Sequence, residues 1–129
     1  MNAWLFVYVL KKDLSRVPGK QTLKHQYGHA SVVIRVSCIS SWELAQLVQR
    51  IRLQLALNVR DWLASCEALP FVSFLPVTTA IAIESTRLPN FPHNDPADRI
   101  IVATALSLGA VLVTKYEKVQ RYKAVQTIW

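Results

Sequence analysis

Cysteine is nearly absent from this chain: Cys38 and Cys66 are the only two. That excludes a disulfide framework or a cysteine zinc cluster, and it reads as two buried thiols in a reducing cytoplasm. Glycine is almost as scarce, with three in all, leaving little room for flexible joints. No repeat, low-complexity tract or linker divides the sequence. Long apolar runs are missing too. The longest uncharged stretches, residues 68–83 and 100–114, fall short of the roughly 18 residues a membrane span needs, and the first contains Pro70 and Pro76. Positive charge follows the apolar stretch 3–10, at Lys11 and Lys12, where a secretory signal would carry it in front. Acidic residues are the last shortage, eight against fifteen Lys and Arg, for a net charge of +7 and a pI near 9.8. This balance favours a polyanionic partner, either RNA or an acidic protein segment.

What is present is apolar and alternating. The 129 residues fit one domain, and the hydrophobic share of 52% with a mean hydropathy of +0.23 suits parallel strands buried on both faces. Residues 35–39 read as a short strand. A helix follows, with Leu44, Leu47, Val48, Ile51 and Leu55 in one apolar stripe at helical spacing. Residues 59–67 form a second short helix and 71–77 a second strand, and Thr78 or Thr79 caps a third helix reaching to about Thr86. The Pro-rich stretch 88–93 is the clearest loop. Residues 97–108 then make a helix apolar nearly all round, stopped by Gly109. A strand at 110–114, a charged helical turn at 116–122 and a last strand at 125–128 close the chain. Residues 4–9 have the composition of a strand. This alternation predicts an α/β domain with a mostly parallel sheet, whose active site forms beyond the carboxyl ends of the strands.

Two helix starts carry acids: Ser40-Ser41-Trp42-Glu43 and Asp95-Pro96-Ala97-Asp98. Each has a structural explanation. With Ser40 as N-cap, Glu43 completes a capping box. With Asp95 as N-cap and Pro96 in the first helical position, Asp98 lies in the first turn, where the helix dipole favours negative charge. The functional explanation needs Glu43 and Asp98 to meet at one sheet edge, where two carboxylates offer hard oxygen ligands for Mg²⁺ or Mn²⁺. Such an ion equips a site for phosphodiester cleavage. Histidines 25, 29 and 93 match no metal-site spacing.

These segments resemble the PIN-domain family, in particular its VapC-type toxin ribonucleases. Residues 39–45 resemble the family's Trp-Glu segment, and residues 93–105 its His-x-Asp-Pro-x-Asp-Arg segment with the trailing Ala-x-Ala helix. Val111-Leu112-Val113-Thr114 resembles the strand that ends in Thr-x-Asp, and residues 125–129 fit the family's close. The likeness runs from about Ser37 to the C-terminus. It implies an α/β/α sandwich acting as a Mg²⁺-dependent (or Mn²⁺-dependent) cytoplasmic endoribonuclease, the toxin of a type II toxin–antitoxin system. RNA would be its substrate, a small antitoxin and a second copy of the chain its protein partners. On this likeness Glu43 takes the position of the second family acid and Asp98 that of the third. Asp95 is an additional carboxylate, and Arg99 either faces phosphate or serves the surface.

Two family acids have no counterpart. Members open with an apolar strand ending in Asp-Thr-His or Asp-Thr-Asn, whereas Met1-Asn2-Ala3-Trp4 enters that motif one residue late. The likeness therefore implies a single domain over residues 1–129 without its first strand, and it moves residues 4–10 from strand to helix. Tyr116 stands where the fourth acid would be, with Glu117 beside it as a weak substitute. Three readings follow. The first is a working metal-dependent ribonuclease, and the second a disarmed module that keeps antitoxin or RNA contacts. The third, a basic DNA-binding regulator, lacks any helix-turn-helix signature.

Overall fold

The computed structural model describes residues 7–11, 32–70, 72–92, 94–114 and 116–128. Five strands form one sheet: β1 (Val7–Lys11), β2 (Val32–Ser37), β3 (Val72–Leu75), β4 (Val111–Val113) and β5 (Thr127–Ile128). Five helices are described: α1 (Cys38–Gln49), α2 (Val59–Glu67), α3 (Thr79–Ser85), α4 (Pro96–Leu108) and α5 (Glu117–Gln120). The strand order is β3-β2-β1-β4-β5.

β2 pairs parallel with β3, β4 pairs parallel with β5, and β1 runs antiparallel to both β2 and β4. Four strands therefore point one way, as a mostly parallel sheet requires, and the central strand points against them. Val7 stands opposite both Val36 and Val113. The family likeness had moved residues 4–10 into a helix. Residues 7–11 are a strand instead, as their β-branched and aromatic composition favours; residues 1–6 lie outside the described residues.

Side chains alternate across β4 as strand geometry demands. Leu112 joins Ile101, Val102, Ala105, Val119 and Val125 in one buried cluster, while Val113 joins Ile34 and Val36 in another, with Val72, Phe74 and Ile128 against it. Burial on both sheet faces is the signature of the α/β/α sandwich. α4 supplies four of the first cluster's ten buried residues, and it also packs against α3 and α1. Among the described residues no helix is long and apolar enough to cross a membrane.

Helix ends follow their local chemistry. Thr78 caps α3, its hydroxyl accepting from the Ile81 amide at 3.2 Å. α4 ends at Gly109, whose φ of 59° is the left-handed conformation. The Gly109 amide donates to the Leu106 carbonyl at 3.2 Å and that of Ala110 to Ala105 at 2.9 Å. A Cβ there would meet nothing within 4 Å, so backbone conformation and not space selects glycine.

α1 ends in the same way but with the wrong residue. Ile51 has φ 57°, and the Ile51 and Arg52 amides donate to the Val48 and Leu47 carbonyls at 3.1 and 2.9 Å. The expected stripe through Ile51 and Leu55 therefore breaks at Gln49, because the chain has already turned out of the helix. The Ile51 side chain is 85% exposed and gains nothing from packing. A left-handed conformation costs an L-residue about 1–2 kcal/mol, and glycine adds about 0.5–1 kcal/mol of unfolded-state entropy. Ile51→Gly should thus stabilise the protein by up to about 1 kcal/mol, read as a higher denaturant midpoint at unchanged m-value; a lower midpoint would refute the strain. The two cysteines also depart from expectation. Cys38, at the first helical position of α1, is exposed, and Cys66 is half-buried.

Candidate active site

The site is set by where two helices begin. β2 runs straight into α1 without a loop, so α1 starts at the carboxyl edge of the sheet. α4 returns to β4 through the tight turn at Gly109 and so runs against β4. Its first turn therefore lies at the edge where β4 ends. Glu43 in α1 and Asp98 in α4 are brought to the same edge by this topology.

The capping box expected at Ser40 and Glu43 does not form. Ser37 is the N-cap of α1, its side chain accepting from the Ile39 amide at 3.3 Å, because the strand ends two residues earlier than residues 35–39 had implied. Ser40 and Glu43 are thereby inside the helix. Three residues apart, they share one face, and both are buried, at 4% and 3% exposure. Glu43 Oε2 and Ser40 Oγ have no hydrogen-bond partner among the described residues. Glu43 is freed from the structural role that would have explained it.

Asp95 keeps its role. It is the N-cap of α4, one carboxylate oxygen accepting from the Ala97 and Asp98 amides at 3.0 and 3.2 Å, with Pro96 opening the helix. Asp98 is 9% exposed. Burial pushes the Glu43 carboxyl up to about 7, and the negative charges of Asp98 and Asp95 add to the shift. Burial likewise pushes Asp98 up to about 7, with the charge of Asp95 adding. Carboxylates felt by one another in a dry place resist ionising together, and such perturbed acids mark functional sites. Glu43, Asp98 and Asp95, more than 50 residues apart at their extremes by numbering, form one electrostatic unit.

The remaining sequence candidates go elsewhere. Glu117 is exposed in α5 and faces Arg121, one helical turn on, at 3.7 Å; the structure does not bring it to the carboxylates. Tyr116 follows the buried Thr114, whose Oγ1 accepts from the Tyr116 amide at 3.0 Å. Arg99 serves structure: its Nε donates to the Ser85 carbonyl at 2.9 Å, and its guanidinium lies 5.4 Å from the centre of the Phe91 ring. Phe91 in turn meets Tyr122 edge-on at 5.1 Å, and the Tyr122 hydroxyl donates to the Pro89 carbonyl at 2.9 Å. These contacts hold the Pro-rich loop that leads into Asp95. Histidines 25, 29 and 93 lie outside the described residues, as do the positions of the opening motif and Trp129. Ser40 is the residue that sequence reasoning misread, since Ser37, Ser40 and Ser41 all suit a cap and only the end of β2 decides among them.

Chemically, the edge offers two buried hard-oxygen ligands with a third carboxylate nearby. Among the described residues no group of three or more His, Cys, Asp or Glu side chains is arranged as a metal cage. Mg²⁺ does not require one, because it commonly takes one or two carboxylates and completes its shell with water and substrate phosphate.

The sequence matches the PIN domain family over residues 5–125. It is also 37% identical over 98 residues to Ribonuclease VapC22 of Mycobacterium tuberculosis, an alignment covering 74% of each chain. The matched span 5–125 includes both acid-bearing helices, α1 and α4. The chain belongs to the PIN-domain family, as a protein of the VapC type.

Proposed function

We propose that the chain is a VapC-like ribonuclease toxin whose Glu43 and Asp98 hold Mg²⁺ or Mn²⁺. The observation that carries this is that two buried carboxylates from separate helices lie within each other's electrostatic reach, one with an oxygen that no described residue satisfies. A divalent cation fits that arrangement. It supplies positive charge that offsets the burial and the neighbouring negative charges pushing both acids up to about 7, and it prefers hard carboxylate oxygens. When bound, such an ion polarises a phosphoryl oxygen and lowers the pKa of water. The chain's own residues do the rest: Glu43 and Asp98 fix the ion's place, and Asp95 adds charge while capping the helix that presents Asp98.

The partners follow from the surface and the family. The net charge of +7 suits an RNA substrate. Large apolar side chains are exposed on and after α1, namely Trp42 at 51%, Ile51 at 85% and Leu57 at 51%, which suits a protein partner: a cognate antitoxin and a second copy of the chain. We read residues 1–129 as one such domain, working in the cytoplasm.

The test is RNA cleavage in Mg²⁺ by the unmodified chain and by Asp98→Asn, with EDTA as control. Cleavage by the unmodified chain alone, abolished by EDTA, is the expected result, and Asp98→Asn should lose on the order of 100-fold or more, since even outer partners of a metal cost 10–100-fold. Equal cleavage by both chains eliminates the assignment. No turnover by either, with tight antitoxin binding, establishes the disarmed module instead.

A further inference from the structure

Among the described residues, the hydroxyl of Ser40 has no hydrogen-bond partner. A serine or threonine in a helix ordinarily returns its hydroxyl to a carbonyl one turn back, and this chain follows that habit repeatedly. Ser65 donates to Asp61 at 2.9 Å, Ser85 to Ala82 at 2.6 Å, Thr104 to Ile100 at 2.7 Å and Ser107 to Thr104 at 2.8 Å. Ser40 Oγ does not, although it is 96% buried by the 4% exposure of the residue. Leaving a buried hydroxyl unsatisfied costs about 1–3 kcal/mol, so a fold that keeps one invites a use for it.

Its neighbour on the same helix face shares the condition. Glu43 Oε2 is buried and unpartnered one turn further on, and residues three apart on a helix lie beside each other. A hydroxyl donates one proton and a carboxylate oxygen accepts, so the two vacancies are chemically complementary. Ser37, by contrast, is committed to the Ile39 amide as the helix cap.

Resting on the cation site proposed above, we propose that Ser40 is a positioning residue: when the ion is bound, its hydroxyl turns to donate to Glu43 Oε2 and holds that carboxylate toward the divalent ion. Partners of this kind orient ligands around metals and typically contribute 10–100-fold to affinity.

The experiment measures Mn²⁺ binding to the full chain by loss of the free-ion electron paramagnetic signal, for the unmodified protein, Ser40→Ala, Ser40→Thr and Glu43→Gln, with metal-free melting recorded for each. Ser40→Ala is expected to bind Mn²⁺ on the order of 10-fold or more weakly while melting no lower than the unmodified protein, because it removes an unsatisfied buried group. Ser40→Thr, which keeps the hydroxyl, should restore affinity to within a few-fold. If Ser40→Ala binds Mn²⁺ normally while Glu43→Gln does not, the role of Ser40 is overturned and the cation site stands. If Ser40→Ala melts lower with unchanged affinity, the hydroxyl is merely structural and the proposal fails. If the unmodified chain binds no better than Glu43→Gln, the cation site itself falls, and Ser40 with it.

Discussion

Glu43→Gln is expected to abolish cleavage and yet raise the melting temperature of the metal-free protein at pH 8. Above pH 7 the unmodified chain must bury a Glu43 carboxylate that has an unsatisfied oxygen and lies within the fields of Asp98 and Asp95. An uncompensated buried charge destabilises by several kcal/mol when nothing relaxes around it. Glutamine has nearly the same shape without the charge, so a gain on the order of 1–3 kcal/mol is expected, allowing for the polar amide it leaves buried. At pH 5 both side chains are neutral and the gain should vanish. Activity goes the other way, by at least about 100-fold, because an amide oxygen does not replace an anionic ligand for Mg²⁺. Thermal melts at pH 5 and 8 together with cleavage assays read both halves. A variant that melts lower at pH 8, or cleaves normally, would remove Glu43 from the site.

The second large effect is on pH. In the unfolded chain Glu43 and Asp98 titrate at their ordinary values of 4.5 and 3.8, and in the fold both titrate at about 7. Between about pH 4 and 7 the folded form therefore holds more protons than the unfolded form, and linkage makes stability fall as pH rises. The favourable contribution is fully present below pH 4 and lost as pH passes 7. Each group can contribute a slope of up to about 1.4 kcal/mol per pH unit, and since the two interact, the pair titrates as a unit. On the proposed site, Mg²⁺ would bind the ionised pair, so its stabilising effect should be large at pH 8 and small at pH 5. EDTA-treated protein melted from pH 5 to 8, with and without Mg²⁺, tests this against Asp98→Asn, whose metal-free curve should be flatter. Parallel curves for the two chains, or a Mg²⁺ effect independent of pH, would contradict the linkage.

How legible all this was depended on whether chemistry local to the sequence decided the structure. Asp95-Pro96 and Gly109 frame α4 by strong capping preferences, and Thr78 fixes the start of α3, so both helices and the place of Asp98 could be read directly. α1 could not be read as well. Its cap is chosen by where β2 stops pairing with β3, a tertiary event, and the misplaced cap at Ser40 gave Glu43 a false structural explanation. Its far end hides a left-handed isoleucine that no propensity favours. The direction of β1 was equally hidden, because a strand's composition says nothing about which way it enters a sheet. The sequence leaves Arg99 between phosphate and surface because the Ser85 carbonyl and the Phe91 ring, which it meets, lie on segments that sequence spacing does not connect to it.

The Pro-rich loop before α4 is gripped at two points, by Arg99 from within the helix it introduces and by Tyr122 from near the end of the chain. Neither side chain carries negative charge, yet together they fix the angle at which the first turn of α4 presents its acids. Tuning of the proposed cation site can therefore arise away from its ligands. Exchanging one aromatic ring or one guanidinium would re-aim a carboxylate without touching it, so natural or engineered variation in cation preference should be sought in that clamp as much as in the acids themselves.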